Sequence, residues 1–243
     1  MEQADKCKTA NVDEYEKTLG ELYGEREVET RQAYSRLMKA PFKAYVTTNF
    51  DPLLSEAADV EGYLDVRYYP DLPSPDIERC EKALFYIHGH ARPKGKPNGH
   101  NLILSRSEFK QAYGTTGVVR LFVQHLLLNY SIVFLGCGLL EPDIHQQIQC
   151  VHEMHVQVKA ARDGFVPPLR FALSQTIVSE ATGTRDLDAE ARETDRFRAL
   201  DTEVLRYDPV DRRKHWEIED ILKNLCELTS KVSESGPGEE RPR

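Results

Sequence analysis

No apolar run in this chain approaches the roughly 20 residues a helix needs to cross a bilayer. The opening residues, Met1-Glu2-Gln3-Ala4-Asp5, also lack the basic-then-apolar order of a secretory leader. A cytoplasmic protein with no membrane partner is expected. Cysteine is sparse: Cys7, Cys80, Cys137, Cys150 and Cys226 are odd in number, scattered, and include no Cys-x-x-Cys pair. That excludes a zinc knuckle or dithiol motif of that spacing and fits reduced thiols. Basic charge is short as well, with 32 Lys and Arg against 40 Asp and Glu and a net charge of -8. Such a balance repels a phosphate backbone, so nucleic acid is not an expected partner. Internal repeats and coiled-coil heptads are absent.

What is present is 243 residues, 40% apolar and 30% charged, the composition of a globular protein with a very polar surface. The expected organisation is an N-terminal helical segment over 1–40, one α/β domain over 41–232 and a frayed tail over 233–243. Leu19, Leu22, Tyr23, Val28, Tyr34 and Leu37 give an imperfect helical stripe that Pro41 closes.

Strands and helices then alternate. Strands are expected at Phe42–Thr48, Leu64–Tyr69, Ala83–Ile87, Ser131–Leu135, Leu169–Leu173 and Val204–Tyr207, with a short one at Asn101–Leu104. Ala83–Ile87 and Ser131–Leu135 are continuous apolar runs, as in strands buried on both faces. Helices are expected after Pro52, after a Ser107 cap, over Val118–Tyr130 and from Pro142 to about Val158. Further helices are expected before Leu200 and around Trp216, Ile218, Ile221, Leu222 and Leu225. From His90 to His100 the chain is rich in Pro, Gly and Lys, the composition of a loop. The alternation predicts an α/β fold, a Rossmann-like doubly wound, mainly parallel sheet with helices on both faces.

Ligands of such sheets collect beyond the carboxyl ends of the strands, and three ends break into polar or glycine residues. They are Thr47-Thr48-Asn49-Phe50-Asp51, His88-Gly89, and Gly136-Cys137-Gly138 followed by Asp143. Taken singly, Asn49, Asp51 and Asp143 are also readable as helix-start residues, and Gly136 with Gly138 as a tight turn. His145, His152, Glu153 and His155 invite a metal reading but lack the spacing of a zinc peptidase helix, so solvated surface histidines are expected.

As an ordered set, the Thr-Thr-Asn-Phe-Asp run with Leu53-Leu54 and Glu56, the His88-Gly89 strand end and the Leu135-Gly136-x-Gly138 end resemble the zinc-free sirtuin-like domains found in bacterial defence proteins and in other bacterial and fungal proteins. The resemblance runs from about Tyr45 to the final helix and implies NAD+ as substrate with no metal. By the resemblance, Asn49, Asp51 and His88 are the catalytic residues, the first two facing the nicotinamide ribose. Thr47, Thr48, Phe50, Gly89, Gly136, Cys137, Gly138 and Asp143 are the expected nucleotide contacts. Water as acceptor makes an NAD+ glycohydrolase; an acyl-lysine acceptor makes a deacylase, which the absent four-cysteine module disfavours. The chain departs from the family in having no Gly-x-Gly phosphate loop before Asn49, so a non-catalytic, truncated or degenerate sensing or assembly module is the alternative. A homo-oligomer or a further fused domain is compatible with the sequence.

Overall fold

A computed structural model describes Glu14, Lys17, Thr18 and residues 31–40, 42–62, 65–72, 82–91, 101–137, 139, 141–179, 182–208, 218, 220 and 221. These divide between two compact units. One holds the described residues of Lys6–Asp71, Pro75–Leu102 and Arg213–Arg243; the other holds Leu72 and those of Ile103–Arg212.

In the first unit, helix α1 (Arg31–Lys39) leads to strand β1 (Ala44–Thr47), helix α2 (Leu53–Val60), strand β2 (Asp65–Tyr68) and strand β3 (Ala83–Tyr86). Both β1 and β2 pair parallel with β3, so the order is β1-β3-β2. The apolar run predicted for β3 has its reason in that central position, where every side chain from Ala83 to Tyr86 is wholly buried. Around its Leu84 and Tyr86 lie Met38, Tyr45, Leu54, Ala57 and Ala58. The small pair Ala57-Ala58 presents no bulk on the buried side of α2. Large side chains such as Leu84 each contribute roughly 1.5–3 kcal/mol by leaving water.

The second unit runs α3 (Arg106–Tyr113), α4 (Val118–Asn129), β4 (Ile132–Leu135), α5 (Pro142–Ala161), β5 (Arg170–Gln175), α6 (Leu187–Arg198) and β6 (Glu203–Tyr207). Its sheet is parallel with order β4-β5-β6. Every ladder in named strands of both units is therefore parallel; α2 links β1 to β2, α5 links β4 to β5 and α6 links β5 to β6, and the fold is α/β and Rossmann-like. No helix among the described residues is long and apolar enough to cross a membrane.

Several expectations are corrected. Asn101–Leu104 carries no strand. Helix α3 is capped by Ser105, not Ser107: the Ser105 hydroxyl accepts the Glu108 N–H at 3.2 Å while the Glu108 carboxylate accepts the Ser105 N–H at 2.8 Å. That reciprocal pair satisfies two orphan donors at once, which a serine two residues later could not do. Strand β4 is only half-buried throughout; among the described residues it pairs with β5 alone, and an edge strand keeps part of its surface. His155 is buried, not solvated, because the Arg170 guanidinium donates to its Nδ1 at 3.2 Å. Trp216, Gly138, most of the N-terminal segment and the loop from 92 to 100 lie outside the described residues.

Candidate functional site

Parallel pairing in register brings two of the polar strand ends together. Thr47 stands opposite Tyr86, and the Ile87 N–H donates to the Thr47 carbonyl at 3.0 Å. The residues that follow, Thr48 to Asp51 and His88 to Ala91, therefore leave neighbouring strands at the same carboxyl edge. Each then turns under local control. Thr47, almost fully buried, has its hydroxyl accept the Asn49 N–H at 3.0 Å, and the Asp51 carboxylate accepts the Leu53 N–H at 3.2 Å. Asp51 thus serves the start of α2, a role its residue type favours. Asn49 is exposed.

On the other strand, Gly89 has φ +92°, and a β-carbon there would stand 2.3 Å from the Asn101 carbonyl oxygen. Only glycine tolerates both conditions. The Ala91 N–H donates to the Phe50 carbonyl at 2.8 Å, closing the two turns on each other. His88 is 2% exposed, and burial pushes its pKa down to about 4. The imidazole is accordingly neutral at pH 7. Its ring lies 6.5 Å from that of Phe50, tilted by 34°.

Ser55 and Tyr86 beside this edge were not singled out from the sequence, and His90, read there as a loop residue or a phosphate contact, is buried. The His90 ring, 3% exposed, meets the Tyr86 ring edge-on at 4.4 Å, and its Nε2 lies 3.0 Å from the Ser55 hydroxyl. The Tyr86 hydroxyl accepts the Ser55 N–H at 2.9 Å. Burial raises the Tyr86 phenol above the usual range, so it stays protonated. A histidine inside a loop-like composition gave no sign of this.

The third strand end lies in the second unit. Gly136 has φ +61° with open space where a β-carbon would point, so backbone conformation asks for glycine there and leaves its surface approachable. The Cys137 thiol is raised by burial, which keeps it protonated and unreactive. Leu139, at φ +50°, is wholly buried. Asp143 sits in the first turn of α5 behind Pro142, where no side chain caps the helix. Tyr113, also unforeseen, has its phenol raised by burial and by the nearby Glu141, Asp143 and Cys137. This end therefore offers a bare glycine backbone and a carboxylate pair. Among the described residues no group of three or more His, Cys, Asp or Glu is placed to hold a metal ion.

A family model described as SIR2-like domain matches residues 43–175, more than half of the chain. The match spans β1 to β5 and every candidate residue above. A search of curated proteins finds no match.

Proposed function

We propose, from the premise that the chain belongs to the SIR2-like domain family, that it hydrolyses NAD+ at the bond between nicotinamide and ribose. The observation that carries this reading is the shared carboxyl edge of β1 and β3, where an exposed Asn49 and a buried, neutral His88 leave paired strands. In the reaction the glycosidic C–N bond breaks and its electron pair leaves with nicotinamide, which becomes a neutral pyridine. Water adds to the ribose carbon and gives up one proton, leaving ADP-ribose. Nicotinamide is a good leaving group from a cationic ring, so the transition state is oxocarbenium-like and needs positioned dipoles more than a strong base.

In this reading the residues divide the work as follows. The Asn49 carboxamide orients water or the ribose hydroxyls. His88, with a conjugate acid of pKa about 4, is a weak base; it accepts a hydrogen bond from the attacking group and takes its proton only as charge develops. Asp51 shapes the turn through the Leu53 amide, a more structural role than orienting Asn49 directly. Thr47 serves that turn, while Thr48 and Phe50 line it and Gly89 lets the His88 strand bend away. In the second unit, the open backbone at Gly136 and the Asp143 carboxylate suit the phosphates and hydroxyls of a nucleotide. NAD+ is the substrate in this reading, with no metal in the reaction and no nucleic-acid partner.

A second reading, a non-catalytic sensing or assembly module, is favoured by one feature: no Gly-x-Gly loop precedes Asn49 to cradle the dinucleotide phosphates. Deacylation of lysine is disfavoured by the absence of any Cys-x-x-Cys pair. Nicotinamide release from NAD+ by the purified chain, beside Asn49→Ala and His88→Ala, separates these readings.

A further inference from the structure

Between them, Ser55 and His90 tie the turn after β3 to the first turn of α2. The Ser55 hydroxyl donates its single hydrogen to the Pro52 carbonyl at 2.8 Å. Its 3.0 Å contact with His90 Nε2 must then be made by an imidazole N–H, which fixes His90 in the Nε2–H tautomer. The Ser55 amide is spent on the Tyr86 hydroxyl at 2.9 Å, and the His90 ring is walled by Tyr86 at 4.4 Å and Tyr68 at 5.8 Å. One residue further on, the Ala91 N–H holds the Phe50 carbonyl at 2.8 Å. His88 and the Asn49–Asp51 turn thus lie between the β1–β3 ladder on one side and this pair of links on the other.

A half-buried serine and a buried histidine, 35 residues apart in sequence, are a costly way to hold a loop that apolar packing alone would bury. Their distinctive output is direction: they fix how the His88 strand end faces the Asn49 strand end. We propose that Ser55 and His90 are positioning residues for the reaction, acting through Asn49 and His88 without touching substrate. This rests on the NAD+ hydrolysis reading, and the test separates the two.

Kinetics of nicotinamide release and NMR titration of the His88 ring are measured on the full chain for Ser55→Ala, His90→Phe, their double variant and His90→Gln. Misaligned groups lose rate more than binding, so each single variant is expected to lower kcat about tenfold with KM within about twofold. The double variant falls no further than either single. His90→Gln, which keeps an N–H donor at the Nε2 position, restores kcat to within about threefold of the parent. Singles that lower the melting temperature while kcat stays at the parental value overturn the proposal, as does a double variant whose losses multiply. If the parental chain releases no nicotinamide, the hydrolysis reading fails, and the NMR arm decides positioning alone. A His88 titration midpoint displaced from the parental one in Ser55→Ala and His90→Phe and restored in His90→Gln supports it; an unmoved midpoint overturns it.

Discussion

His88 is neutral because it is buried, and that has a consequence for stability. An unfolded histidine takes a proton as pH falls past about 6.5, whereas the folded ring resists until about 4. Between those values the unfolded state holds more protons, so stability is full above pH 6.5 and declines as pH drops toward 4. The shift corresponds to on the order of 3 kcal/mol. Urea unfolding of the parent should show this decline, and His88→Asn should flatten it; equal slopes in the two proteins would contradict the burial argument. Gly89 makes a second residue-scale prediction. With φ +92° and the Asn101 oxygen 2.3 Å from any β-carbon, Gly89→Ala should cost at least about 2 kcal/mol in the same assay. The glycine was visible in the sequence, but the carbonyl that demands it lies twelve residues on and was not.

At the scale of elements, the strands follow from their sequences more fully than their neighbours do. Ala83–Tyr86 and Ile132–Leu135 carry equally apolar runs, yet the first is wholly buried and the second half-buried. Periodicity reports what a strand presents, and only pairing decides whether it is central or at an edge. Helix α3 shows the same limit. Two serines, Ser105 and Ser107, precede its apolar residues, and the one that caps it is the one with Glu108 three positions later. Ser105→Ala should therefore lower stability by about 1 kcal/mol, while Ser107→Ala should change it by less than half as much. Thermal unfolding of both variants distinguishes these expectations, and equal losses would place the cap elsewhere.

Across the whole molecule, the polar strand ends were legible because a parallel sheet gathers ligands at one edge, and the structure joins Thr47–Asp51 to His88-Gly89 by direct register. The SIR2-like domain match over residues 43–175 covers those strand ends. Less legible were the partners that tertiary packing supplies. Ser55 reads as an ordinary helix residue and His90 as the first residue of a Pro- and Gly-rich loop, and only the fold brings them to 3.0 Å. Asp51 had two readings, and the Leu53 amide on its carboxylate favours the helix-start one. His155 was misjudged because its partner, Arg170, lies fifteen residues away on a strand.

The most direct test is nicotinamide release from NAD+ at millimolar substrate by the purified, folded chain. The account predicts release that falls at least about a hundredfold in both Asn49→Ala and His88→Ala. No release from the parental chain, or release that both substitutions leave intact, would contradict it.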